Sequence, residues 1–107
     1  MDRDLDCKIA ERLFGKTIIG EREWRVLRGG EGQVPHYSTC PRDAMAVVER
    51  MADSGFSFCA YLDADKDPKW RCGFTASGGK SWNIAGQSFA TTVCLAALAA
   101  LEASSNG

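Results

Sequence analysis

The chain has 107 residues, of which 45% are hydrophobic and 25% charged, close to the averages of soluble globular domains, which excludes disorder, a fibrous repeat and a membrane-embedded fold. Thirteen Lys and Arg against fourteen Asp and Glu leave a formal charge of -1, so no global basic field draws in nucleic acid by counterion release. Residues 1–107 read as a single domain with a flexible tail over 103–107, because a chain of about 100 residues supports one hydrophobic core.

Asp2 or Asp4 caps a first helix in which Leu5, Ile9 and Leu13 recur at four-residue steps with Ala10 and Phe14 beside them, and Gly15 stops it. A short strand is expected over Trp24 to Leu27, with Glu23 and Arg25 opposite Trp24 and Val26. Gly29-Gly30-Glu31-Gly32 follows as a loop; it lacks the Lys-Ser/Thr of a phosphate cradle. Ser38 and Thr39 lead into Pro41, where a second helix starts and buries Ala44, Val47, Val48 and Met51 before Ser54-Gly55 ends it.

Phe56, Phe58, Ala60 and Leu62 then alternate with more polar residues at the two-residue period of a strand. After the turn Ala64–Lys69, Trp70, Cys72, Phe74 and Ala76 alternate with Arg71, Gly73 and Thr75. Ser77-Gly78-Gly79-Lys80 makes a second tight turn into Ser81–Ala85, the third strand of a meander. Ser88 caps a final alanine-rich helix with Val93, Cys94, Ala97, Leu98 and Leu101 on its buried face, and Ser104–Gly107 frays. The element order is αβαβββα, an α+β fold with three helices on an antiparallel sheet of about four strands. Tyr61, Arg71 and Thr75 lie opposite the Phe-Trp stripe, leaving a second face that is either partly wet or covered by a helix.

Two segments carry a resemblance: Tyr37-Ser38-Thr39 running into Ala44-Met45-Ala46-Val47-Val48-Glu49-Arg50-Met51, and Ser88 running into Val93-Cys94-Leu95-Ala96-Ala97-Leu98. Together with a first helix ending at Gly15, they resemble the phage ABA sandwich family. Ala90 and Leu95 depart from it, where the family often has Pro and Arg. The resemblance implies helices on both sides of the sheet, an α/β/α sandwich, and carriage on phage or prophage genomes. It brings no shared catalytic residues.

No catalytic or metal-binding set is legible. Asp63, Asp65 and Asp67 have the spacing of a calcium loop, but Pro68 stands where that loop needs glycine and Phe74 where it needs its last carboxylate. His36 and Cys40 allow a Cys-His nucleophile pair, yet nothing signals an orienting third group. Cys7, Cys40, Cys59, Cys72 and Cys94 contain no C-x-x-C pair and read as small apolar core residues in a reducing compartment. No zinc set or cofactor motif is present.

A candidate binding surface combines Arg22, Arg25, Arg28, His36, Tyr37, Lys66, Lys69, Arg71 and Lys80, cations beside Trp24, Trp70 and Trp82. Competing with it is a reading in which the tryptophans are core and the charges ordinary surface. The charged start Met1–Asp6 has no signal-peptide stretch and no run is long enough to span a bilayer, so the expected place is the cytoplasm. The expected function is a non-enzymatic binding protein, monomer or homodimer, acting on a host protein complex or a nucleotide signal as a counter-defence factor. The alternatives are a nucleic-acid-binding accessory protein and a Cys/His-dependent enzyme.

Overall fold

The computed structural model describes residues 3–16, 18–19, 26–27, 32–67 and 69–105. Along the chain lie α1 (Arg3–Arg12), β1 (Ile18–Ile19), β2 (Val26–Leu27), β3 (Gly32–Gln33), α2 (Pro41–Asp53), β4 (Ser57–Leu62), β5 (Trp70–Thr75), β6 (Ser81–Gly86) and α3 (Phe89–Ser105). The fold is α+β.

The helix ends follow the sequence signals. Gly15 takes φ 65 just past α1, and the Lys16 N–H turns back onto the Ala10 carbonyl at 2.9 Å. At the end of α2, Gly55 with φ 97 lets its own N–H reach the Ala52 carbonyl and the Phe56 N–H reach that of Met51, both at 3.0 Å. These two bonds satisfy carbonyls that the helix end would otherwise leave open. At the other end, Cys40 is the N-cap of α2 and supplies no side-chain cap. Ser38 and Thr39 fall too early for that duty, and the turn before the helix closes through the Cys40 N–H on the His36 carbonyl at 2.8 Å.

The meander forms in register. Phe58, Phe74 and Trp82 make one cross-strand row, and Ala60, Cys72 and Ile84 the next, all on one face of the β4-β5-β6 sheet. Phe74 at its centre is fully buried, an area removed from water that stabilises by roughly 1.5–3 kcal/mol. Its ring lies 5.1 Å from that of Phe58. Trp70 and Trp82 belong to this face too, half-buried against Phe89 at 5.1 Å and Phe56 at 6.1 Å.

On this face sits α3, buried nearly all round: Ala90, Thr92, Val93, Cys94, Ala96, Ala97, Leu98 and Ala100 are all closed to solvent. The alanines make this arrangement possible, since small side chains let β5 and β6 approach on one side and α1 and α2 on the others. Gly86 extends the same logic to the sheet, because a Cβ there would meet Thr92 Oγ1. Four contacts orient the helices. Ser38, just before α2, donates its N–H to Asp6 Oδ1 at 2.7 Å and accepts from Thr91 Oγ1 at 2.6 Å. Arg12 pairs with Glu102, and the Arg50 Nε–H donates to the Leu13 carbonyl at 3.3 Å. With near ends meeting near ends, α1 and α2 both run parallel to α3.

Three features differ from the sequence reading. Before α2, the strand expected over Trp24 to Leu27 is present as β2 at Val26–Leu27, its other half, Trp24 and Arg25, lying outside the described residues; the difference is that β2 pairs with β1 and β3 in a separate antiparallel sheet, since two-residue runs leave no period to detect. Second, α3 carries helical backbone through Ser105, so 103–105 are not a tail. Third, the α/β/α layering is not found among the described residues. The helices lie against one face of the main sheet, and the outward rows are exposed or half-exposed apart from Gly73. Those rows hold Ser57, Cys59, Tyr61, Arg71, Gly73, Thr75, Ser81, Asn83 and Ala85, too little apolar surface to hold a second helical layer.

Candidate functional site

The outward face of the main sheet is a grid of three rows. Ser57, Thr75 and Ser81 form a hydroxyl row, in which Thr75 Oγ1 and Ser81 Oγ are 2.9 Å apart. Cys59, Gly73 and Asn83 form the middle row, and Tyr61, Arg71 and Ala85 the third. A groove of about 310 Å³ runs over the second and third rows.

Gly73 shapes this groove. A Cβ at that position would overlap Asn83 Oδ1 and come within 3.0 Å of its Cγ, so glycine is what lets the Asn83 amide lie down across the middle of the sheet. Tyr61 stands 56% exposed at one end of the groove. Its cross-strand neighbour Arg71 is half-exposed and makes no ion pair or side-chain hydrogen bond among the described residues. Cys59 completes the rim as an exposed thiol.

Of the nine residues of the sequence-based surface, the six that are described do not gather in one place. Arg22, Arg25 and Arg28, with Trp24, lie outside the described residues. Lys66 and Lys69 are exposed in the β4–β5 turn and Lys80 in the β5–β6 turn, at opposite ends of the sheet. The first turn also holds Asp63, Asp65 and Asp67, which offset its lysines. His36 is exposed, but on the loop before α2, where its backbone N–H donates to Asp43 Oδ2 at 2.9 Å. Tyr37 must be withdrawn from the surface. It is 6% exposed and stacks on Phe14 with ring centroids 5.2 Å apart. Burial, then Asp43, Asp6 and Cys94, push its phenol up to about 12, so it stays neutral. Of the six described, only Arg71 lines the groove.

The cysteines also divide. Cys7, Cys72 and Cys94 are buried as read, Cys40 is half-buried, and Cys59 is exposed, contrary to a core role. Burial, then Cys59, raises the Cys72 thiol to about 11; burial, then Asp6, raises that of Cys94 to about 12. Neither is a nucleophile at neutral pH, since the thiolate is the reactive form. Asp63 Oδ1 accepts from the Asp65 N–H at 3.2 Å as an ordinary turn. No group of three His, Cys, Asp or Glu side chains gathers as a metal site among the described residues. Nor is any described helix long and apolar enough to cross a membrane.

Cys59, Gly73, Asn83 and Ala85 were missed by the search for cations and aromatics, and Tyr61 was placed on the second face without being counted in the candidate surface. The signal that finds them is parity: once Phe58 and Phe74 point inward, every odd residue of β4 and β5 faces out.

Fold and face together define a small α+β protein whose main antiparallel sheet, among the described residues, is backed by helices on one side and open on the other. The chain matches the Phage ABA sandwich domain family over residues 7–98 and belongs to it. Comparison with curated proteins and with solved structures gives no match.

Proposed function

We propose that the chain is a non-enzymatic binding protein carried by phage or prophage genomes, and that the open face of the β4-β5-β6 sheet is its working surface. The observation that carries this reading is the groove on that face, with a half-buried arginine and an amide that have no side-chain partner among the described residues, and an exposed tyrosine beside them. A half-buried guanidinium without an acceptor loses part of its hydration and gains nothing for it, so an incoming acceptor is favoured. The phage family supports a setting in the cytoplasm of a bacterial host, and the role we assign there is counter-defence, by occluding a host protein complex or withholding a nucleotide signal.

The test is to express the wild-type chain and its Arg71→Glu variant in bacteria carrying a defence system and to count plaques of a phage that the system restricts. Wild type restores plating and Arg71→Glu does not, although both accumulate as folded protein. Equal plating with the two, or restoration by neither, contradicts the reading.

A further inference from the structure

The groove allows a narrower statement, which rests on the open face being the working surface. We infer that it takes a planar ring bearing one anionic group, the chemical class of a nucleoside monophosphate. The volume of about 310 Å³ lies at the small end of ligand pockets, which run from about 300 to 1,000 Å³. It is sized for one such molecule.

Three side chains set the chemistry. The Arg71 guanidinium is planar and forked, and the acceptor that matches it bidentately is a carboxylate or a phosphate. Among the described residues it is the only cation lining the groove, so it calls for one charged group rather than a chain of them. The neighbouring acids are turned to other partners, Asp63 to the Asp65 N–H and Asp67 to the Gln87 amide.

Tyr61 is directly across from Arg71, with Cβ atoms about 5 Å apart in such pairs, so a ring against the phenol places its substituent at the guanidinium. Asn83 is on the next strand, opposite Gly73 and two residues along from Arg71, a step of about 7 Å. Its amide offers one donor pair and one acceptor to the edge of a ring lying over the middle row. The flat floor follows from Gly73, as any side chain there would displace Asn83. An aromatic face, one guanidinium and one amide edge are the recognition elements for a base and a phosphate.

A free nucleotide and a nucleotide within a strand share this chemistry. The formal charge of -1 and the single cation among the described groove residues favour the free molecule, because a strand needs a basic track.

The experiment is an amide chemical-shift titration of the full chain with AMP, GMP, CMP and UMP, with adenosine and guanosine, and with a short single-stranded oligonucleotide. At least one monophosphate shifts the amides of Tyr61, Arg71, Gly73 and Asn83. The nucleoside without phosphate binds on the order of tenfold more weakly or worse, and Arg71→Gln loses a similar factor. Asn83→Ala levels the differences among the four bases. Both variants keep the wild-type unfolding midpoint, as their side chains contact no core residue through hydrogen bonds or ion pairs. Absence of saturable binding by all four monophosphates overturns the inference, as do shifts confined elsewhere or binding indifferent to Arg71→Gln. An oligonucleotide that binds more tightly than every monophosphate, with salt dependence of several phosphates, also overturns it. If the plaque assay separates wild type from Arg71→Glu while no monophosphate binds, the open-face reading stands and the ligand class falls.

Discussion

Replacing Gly86 with alanine tests how closely α3 lies on the sheet. The backbone φ of Gly86 is not in the left-handed region, so alanine is allowed there, and a strand interior gains about 0.5–1 kcal/mol from losing a glycine. Against that gain stands Thr92. The new Cβ would lie under 3.0 Å from Thr92 Oγ1 and 3.3 Å from Thr92 Cβ. Thr92 is 1% exposed, and its hydroxyl donates to the Ser88 carbonyl at 2.5 Å in the first turn of α3. Turning that hydroxyl away strands a buried donor at about 1–3 kcal/mol; pushing α3 off the sheet instead costs about 1–3 kcal/mol of overpacking. Set against the gain, the net destabilisation is about 0.5–2 kcal/mol, with about 4–8 °C in Tm for each kcal/mol in a domain of this size. Urea unfolding of wild type, Gly86→Ala, Thr92→Ala and the double variant measures it. Because Thr92→Ala removes the obstacle, the double variant is more stable than the sum of the single effects predicts, by about 1–3 kcal/mol. A Gly86→Ala protein as stable as wild type, or strictly additive effects, refutes the close approach.

Three further outcomes follow from the same packing. Limited alkylation of the native protein, read by mass spectrometry, modifies Cys59 first and Cys40 more slowly, and leaves Cys7, Cys72 and Cys94 untouched until denaturant is added; early labelling of Cys72 would contradict the assigned strand parity. Stability falls with rising alkali. The Cys94 thiol is held neutral up to about 12 in the fold but ionises above its ordinary 9.0 in the unfolded chain, so its contribution is whole below pH 9.0 and lost as pH climbs through about 12. Tyr37 acts in the same direction above its ordinary 10.0. Denaturation midpoints across that window show the decline, and an unchanged slope in a Cys94→Ala variant would refute the assignment. Removing the Asp6 carboxylate with Asp6→Ala leaves the buried Ser38 N–H without its 2.7 Å acceptor, at about 1–3 kcal/mol. In hydrogen exchange the Ser38 amide should lose its protection before the β5 amides do, and retained protection would place the latch elsewhere.

The sequence showed the outline of this fold where a local rule governs it. Pro41, Gly15 and Gly55 mark helix ends through constraints that act within a few residues, and the even-residue stripe of β4 and β5 reads directly as the inner face. It failed where distant partners decide. Tyr37, beside His36 in a loop, looks like a surface aromatic until Phe14 on a different segment covers it. The last helix looks amphipathic because Leu98 and Val93 stand out, while its alanines, neutral in any pattern, are what let it be buried over most of its circumference, with Leu95 left exposed. The candidate site was misplaced by searching for charge. Lys66, Lys69 and Lys80 draw attention but sit at the two ends of the sheet, whereas the groove depends on Gly73, whose contribution is the absence of a side chain. Cys59 is the clearest case: classed with the other cysteines by residue type, it was already assigned outward by the alternation that puts Phe58 and Ala60 inside.

Because Cys59 lies on the rim of the groove and Cys40 lies away from it, before α2, the two thiols give the native chain a built-in reporter and an internal reference. Alkylation of the protein in infected host cells, compared with the purified protein at equal reagent, therefore tests the open face directly. The account predicts that Cys59 is protected in the cells relative to Cys40, because the face is occupied there. Equal labelling of Cys59 in both samples would contradict it.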